Sequence, residues 1–422
     1  MRKFLKNKSV LKDCKIYQML VASGKKKHFS FHTPGHKIGK WDITELSYSD
    51  NLCSPEGCIA EAEEDIANIL GAHKSFILTD GSTAGVLSAL YAAKRLGART
   101  VAFDEKSHKS VYNGCKLLGL TPLIFRAEEG FSKAQFSTFL EGADVLFLTS
   151  PTYYGEALDL ASARAYCDRT DKILVVDGAH GGHLHFEREI YAGEYADIWV
   201  DGVHKSLPAF TQGAVVSART NRFAKALKKG VDIFRTTSPS YPIMASVEYA
   251  VKFPRNEALE QAARDYAKTN ERILVREDYT KLCVRFGEGA FKAQEEMEKR
   301  GFYPEFCDGE NIMFYLSPAL SLLQFHKLKK ELDRVLQEYP YTPVKKVERV
   351  HTPVVLDENT QTEWVDLDDA AGKICAAACG LFPPCIPLIC EGERIGEEQI
   401  KLLKQGSTYG LAHGKILVVK GE

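Results

Sequence analysis

A doubly wound α/β domain followed by a smaller α+β domain is the fold that this chain of 422 residues predicts, on three observations. Short apolar runs alternate with helix-length segments through residues 70–220, as expected for strands buried on both faces between crossover helices. These runs end in turns bearing Gly, Ser, Asp and His, and open parallel sheets bind their ligands at the carboxyl ends of strands. Beyond about residue 258 the alternation stops. A charge-rich stretch comes first, then strand-like runs at 312–315, 354–356 and 416–419 with a helix near 325–336. The predicted division is a helical segment over 1–30, a large domain over 31–257, and a linking helix with a small α+β domain over 258–422.

Composition narrows the function. With 45% hydrophobic and 26% charged residues the chain is an ordinary globular protein. A formal net charge of -1 and no basic stripe argue against nucleic acid. Eleven cysteines without a CxxC pair point to reduced thiols rather than a disulfide framework. No segment approaches the ~20 apolar residues of a membrane span. Near the basic N-terminus, Met19-Leu20-Val21-Ala22 is too short for a signal-peptide core. A cytoplasmic protein with no membrane partner is expected.

The elements follow in order. Residues 1–28 pattern as one amphipathic helix, with Leu11, Ile16, Leu20 and Val21 on one face and Gly24 with three lysines closing it. Phe31 to Lys37, broken by Pro34 and Gly35, is a loop. Ile59–Leu70 is helical, and Ser75–Leu78 is a strand. Thr79-Asp80-Gly81-Ser82-Thr83-Ala84-Gly85 then opens a helix to Leu96. Strand, Gly-Ser-Thr, helix is a phosphate cradle, in which N–H groups, hydroxyls and the helix dipole converge on an anion. A Ser/Thr helix cap is the plainer reading of the same residues. Thr100–Phe103 is a strand leading to His108, and Val145–Leu148 a strand leading to Ser150-Pro151-Thr152-Tyr153-Tyr154-Gly155. Gly213–Ser217 is an edge or antiparallel strand, and residues 258–279 read as the linking helix.

The chemistry concentrates in two further runs. Ile173–Val176 delivers Asp177, and Ala196–Val200 leads to His204-Lys205, 28 residues later. Apart, they read as a turn cap and a surface charge. Together at neighbouring strand ends they suit pyridoxal phosphate: the lysine amine takes the cofactor aldehyde as a Schiff base, and the aspartate keeps the pyridine nitrogen protonated.

In series, His32-Thr33-Pro34-Gly35-His36-Lys37, Asp42-Ile43-Thr44-Glu45, Pro55-Glu56-Gly57, Gly81-Ser82-Thr83-Ala84-Gly85, His108-Lys109-Ser110, Ser150–Gly155, His204-Lys205 and Thr236-Thr237-Ser238-Pro239-Ser240-Tyr241 resemble the Orn/Lys/Arg decarboxylases, closely over about residues 30–250. The resemblance implies a fold-type I pyridoxal-phosphate large domain with a doubly wound, mostly parallel sheet. It implies decarboxylation of a basic L-amino acid to an amine and carbon dioxide, as in polyamine biosynthesis. By it, Lys205 carries the cofactor, Asp177 holds the ring nitrogen, His108 stacks on the ring, Ala179 packs beneath it and His180 sits beside the reacting atoms. The phosphate would fall to Gly81, Ser82, Thr83, Ala84, Thr152 and His204, with Thr237 or Ser238 serving the neighbouring subunit of a homodimer with shared sites.

The chain also departs from that family. Asp177-Gly178-Ala179-His180 stands where Asp-Glu-Ala-His is usual, and Gly202-Val203 where hydroxyl residues precede His-Lys. A short N-terminus implies a form without the wing domain. An aminotransferase with Arg394 as carboxylate clamp, a lyase, an oxidase, or a non-catalytic cofactor-binding protein remain alternatives on the same scaffold. Two metal readings compete, at His180, His183 and His185 with Asp177 and at Cys375, Cys379, Cys385 and Cys390, but neither spacing matches a zinc pattern, and no metal is expected. Asp50, Glu56, Glu391 and Glu393 are the candidate partners for a basic substrate side chain, which leaves arginine, lysine and ornithine open.

Overall fold

The computed structural model describes residues 5–25, 29–125, 140–344, 356, 359–382 and 387–421. The chain divides into two compact units, the first comprising 1–105, 110–257 and 317–319, the second 106–109, 258–316 and 320–422.

The first unit is built on a seven-stranded sheet of β1 (Lys74–Leu78), β2 (Thr100–Asp104), β3 (Thr121–Phe125), β4 (Val145–Thr149), β5 (Ile173–Gly178), β6 (Ile198–Asp201) and β7 (Ala214–Ala218), in the order β1-β7-β6-β5-β4-β2-β3. β3, β2, β4, β5 and β6 pair in parallel, while β7 is antiparallel to both β6 and β1. The expected 213–217 strand is therefore antiparallel, but it is interior and not an edge. Side chains alternate between two cores. Leu146, Leu148, Leu174, Val176 and Trp199 belong to one apolar cluster, and Val145, Phe147, Val175, Ile198 and Val200 to the other. Both faces are covered, as a continuous apolar strand requires. Each fully buried Val, Leu or Ile contributes roughly 1.5–3 kcal/mol on this account.

The N-terminal segment forms two helices, α1 (Lys8–Asp13) and α2 (Lys15–Ser23), in place of the single one expected. Cys14 between them is extended. The break has a tertiary cause: buried Glu248 accepts the N–H of Lys15 at 2.6 Å and of Ile16 at 3.0 Å, capping α2 from 232 residues away. α3 (Cys58–Leu70) leads to β1, and α4 (Gly81–Arg95) leaves it. α5 (Lys109–Leu118) follows β2. Arg235 fixes the loop that follows the Asn221–Phe234 helix, donating to the carbonyls of Ile77 at 3.1 Å and Leu52 at 2.6 Å.

The second unit has a four-stranded antiparallel sheet over 273–315 and smaller sheets toward the C-terminus. The strands at 311–315 and 415–419 and the helix Leu322–Glu338 match expectation. The linking helix is shorter, Glu257–Ala267, because the Asn270 side chain takes the Arg272 N–H at 2.9 Å and turns the chain into the strand Ile273–Val275. The expected strand at 354–356 falls mostly outside the described residues, as does Cys385.

Candidate active site

Parallel pairing brings the carboxyl ends of β2, β4, β5 and β6 to one edge of the sheet. β1 lies antiparallel to β7, so it shares their direction and opens α4 at that edge. At the end of β5 stands Asp177, 3% exposed, whose Oδ1 accepts the Ala179 N–H at 3.0 Å. Burial pushes its carboxyl above the usual range, with the Lys205 charge and the Ala179 bond pulling the other way. Val200 is its register partner on β6. Beyond β6, Gly202 passes into a helical turn, Val203–Ser206. That turn presents Lys205, whose Nζ lies 2.9 Å from His180 Nε2. The spacing suits a proton relay between amine and imidazole. Tyr153, not singled out from sequence, packs edge-on against the His180 ring with centroids 4.6 Å apart. His204 Nδ1 lies 2.8 Å from the Gly213 carbonyl, which only accepts, so Nδ1 carries the proton. Burial, with the Lys205 charge adding to it, holds His204 below the ordinary histidine range against the pull of the Gly213 bond.

The first turn of α4 carries the Gly-Ser-Thr run directly after β1. Gly81, at φ +77°, spends its N–H on the Gln212 carbonyl at 2.9 Å. The N–H groups of Ser82 and Thr83 remain at the positive end of the helix, where no intrahelical carbonyl can reach them. Ser82 Oγ is buried and has no hydrogen-bond partner among the described residues. Gly202 explains one departure from the family pattern. A Cβ there would meet the Ala179 carbonyl oxygen at 2.3 Å and Ser82 Oγ at 2.7 Å, so a hydroxyl residue does not fit without moving the β5 turn. The two strand ends and the head of α4 thus meet at Gly202. A buried hydroxyl seeking a partner at a helix N-terminus fits a phosphate oxygen. An amine close to a buried carboxyl fits an aldehyde and a ring nitrogen. The donor set therefore fits pyridoxal phosphate.

Other expected residues stand in turns and at exposed or half-buried positions. Thr152 Oγ1 accepts the Glu156 N–H at 3.2 Å and closes its own turn. Thr237 and Ser238 are exposed, next to Thr236, whose N–H reaches Asp80 Oδ2 at 3.3 Å. His108 is half-buried just before α5, within the 106–109 segment that groups with the second unit.

Two of the candidate substrate acids have structural tasks. Asp50 takes the N–H groups of Glu56, Gly57 and Ile59 at 3.0, 2.9 and 2.8 Å. Burial pushes its carboxyl up, but these bonds and that of Asn51 outweigh it and hold the group low. Glu393, 1% exposed, accepts from Cys390 N at 2.8 Å and Gln399 Nε2 at 3.3 Å. Glu56 is exposed and Glu391 half-buried. Among the described residues no three His, Cys, Asp or Glu side chains form a metal-binding group, and His185 places Nδ1 2.8 Å from the Gly182 carbonyl.

The sequence reading also missed Asp201, a second buried acid at the end of β6. Its signal was available: the 198–200 run ends in an acid just as the 173–176 run does.

Comparison with known proteins places this geometry. The family model of the Orn/Lys/Arg decarboxylase major domain matches residues 40–138 and 131–282, and that of the C-terminal domain matches 329–408. An arginine decarboxylase of Bacillus subtilis is 26% identical over 464 residues, covering 92% of this chain and 94% of its own. Among solved structures, the constitutive lysine decarboxylase of E. coli aligns with a TM-score of 0.72 at 17% identity, over 96% of this chain and 82% of that one. Serine palmitoyltransferase from Sphingomonas wittichii aligns at 0.57 and 13%, over 78% of this chain and 85% of that one. The large unit has the fold-type I architecture of the pyridoxal-phosphate enzymes. Among the described residues no helix is long and apolar enough to cross a membrane.

Proposed function

The chain belongs to the Orn/Lys/Arg decarboxylase family, and from that premise we propose that it removes the α-carboxylate of a basic L-amino acid, arginine first, with pyridoxal phosphate held on Lys205. The observation that carries the reading is the junction of Lys205, His180 and buried Asp177 at two adjacent strand ends, beside the unpartnered Ser82 hydroxyl. Arginine is preferred because a relative matched over nearly its whole length is named an arginine decarboxylase.

When bound, pyridoxal phosphate supplies an electron sink for the pair left behind as carbon dioxide departs. The protein's part is positioning and proton control. Ser82 Oγ and the N–H groups of Ser82 and Thr83 would hold the phosphate at the head of the Gly81–Arg95 helix, and His204 would flank it. Asp177, held away from water, keeps a proton at the ring nitrogen. Lys205 would hold the cofactor through its amine, and Lys205 Nζ with His180 Nε2, 2.9 Å away, would hold a proton available to the substrate Cα. Ala179 forms the floor, and its place is fixed by the close approach of Gly202. His108 is assigned to ring stacking by resemblance alone, as Thr237 and Ser238 are to the neighbouring subunit of a homodimer. Residues 31–257 are taken as the cofactor domain and 258–422 as the linking helix and small domain.

The test is to incubate cofactor-loaded protein with arginine, lysine and ornithine together and identify products by mass spectrometry. Agmatine as the main product is expected. Cadaverine or putrescine would move the substrate within the family, and ketoacids without any amine would overturn the reaction.

A further inference from the structure

Asp201 plays no part in the scheme above, yet its setting is unusual. It is 1% exposed at the end of β6, opposite Gly178 on β5 and Val215 on β7. Its Oδ2 accepts the Tyr191 hydroxyl at 2.8 Å and the Trp199 indole N–H at 3.1 Å. The indole also lies 3.0 Å from the Tyr191 oxygen, so the three side chains close a triangle. The other oxygen, Oδ1, is buried and has no hydrogen-bond partner among the described residues. It lies 3.4 Å from where a Cβ on Gly178 would stand, so Gly178 is its neighbour across the strand pair. Alternation along the strands sets Asp177 and Asp201 on opposite faces of the sheet, one register step apart. A fully buried carboxylate with one bare oxygen is costly, and a proton on that oxygen lowers the cost by removing the charge.

We propose that Asp201 is a proton-holding positioning residue whose charge state sets, across the sheet, how tightly Asp177 holds its own proton. The inference rests on the reading of Asp177 given above only for its catalytic meaning. With Asp201 neutral, Asp177 faces no like charge behind it; with Asp201 ionised, Asp177 becomes the stronger base and keeps the ring nitrogen protonated to higher pH. Burial pushes the Asp201 carboxyl up to about 7, with the Tyr191 and Trp199 bonds opposing and Asp177 reinforcing the rise. Beyond Tyr191 lie the Arg188 guanidinium, 5.8 Å from the Tyr191 ring, and His185, at 6.4 Å between centroids. Burial holds His185 down at about 4, so it does not titrate in the neutral range.

Trp199 supplies a readout that needs no turnover. The full-length chain has three tryptophans, and replacing Trp41 and Trp364 with Phe leaves Trp199 as the only indole. Its emission, followed between about pH 5 and 9 without added cofactor, is expected to show one midpoint in the neutral range. Asp201→Asn should abolish that midpoint. Tyr191→Phe should raise it by about one pH unit, because a bond to the charged form is lost. Asp177→Asn should lower it, because a like charge is removed, and coupling is reciprocal. Emission flat with pH in all variants, or a midpoint that persists in Asp201→Asn, overturns the proton-holding role. A midpoint unmoved by Asp177→Asn overturns the coupling. Failure to form any amine product would strike the decarboxylase reading and leave these titrations to judge Asp201 separately.

Discussion

Each unit sets a Lys beside a buried Asp, fully buried itself in one unit and half-buried in the other, and the two pairs are finished differently. In the second unit Lys281 and Asp278 are both 0% exposed. Lys281 Nζ meets Asp278 Oδ2 at 2.8 Å and Thr280 Oγ1 at 2.9 Å, and stands 4.5 Å from the centre of the Tyr315 ring. Asp278 Oδ1 in turn takes the Thr280 N–H at 2.9 Å. Charge meets charge, and the remaining donors are used. In the first unit the Lys205 nitrogen meets an imidazole, Asp177 keeps a raised proton affinity, and the nearby Ser82 hydroxyl is unsatisfied. A completed network locks a fold, whereas an incomplete one holds reactive groups ready for a ligand that completes it.

Substitutions can break or sharpen this contrast. Lys205→Ala should lose all turnover and the absorbance of bound cofactor while melting cooperatively near the wild-type temperature; a variant that turned over normally would mean the cofactor lysine lies elsewhere. Lys281→Ala should do the reverse. Leaving Asp278 buried without its partner costs about 3–5 kcal/mol, visible as a lower denaturant midpoint, with the rate per folded molecule unchanged. If Lys281→Ala were as stable as wild type, the closed pair would not be the structural lock it resembles. Ser82→Ala should weaken cofactor affinity roughly tenfold, the size of one hydrogen bond to a charged group, with no loss of stability in cofactor-free protein. Equilibrium dialysis against pyridoxal phosphate measures it, and unchanged affinity would remove Ser82 from the cradle.

A further expected effect is on stability against pH. Folding raises the Asp201 carboxyl from its ordinary 3.8 to about 7, so between those values the folded state holds a proton that the unfolded chain has released. This group's contribution is therefore greatest below the unfolded value and declines as pH rises through the folded one. Asp201→Asn should be more stable than wild type by a margin that widens from about pH 4 to 7 and then levels off. Urea melts at several pH values would show it. A margin constant with pH would mean that Asp201 is ionised throughout.

Residue patterns alone carried much of this protein. The unbroken apolar runs at 145–148, 173–176 and 196–200 require strands covered on both faces, and the Gly-Ser-Thr turn after β1 requires a helix start with N–H groups to spare. Asp177 and Lys205 were legible because each follows such a run by a few residues. Long-range partners decided the rest. Nothing within 1–28 announces the break at Cys14, since Glu248 supplies the cap from a distant helix. Asp50 reads as a possible substrate anchor until the N–H groups converging on it come into view. Gly202 looks like a lost hydroxyl until the Ala179 carbonyl and Ser82 are seen to occupy the space. Asp201 gains meaning only from the register that sets it opposite Gly178. Periodicity and turn chemistry are local, and the sequence states them directly. Which carboxyl is paired, which oxygen is bare and which glycine has no room for a side chain depend on contacts between distant segments, and only the tertiary structure brings those together.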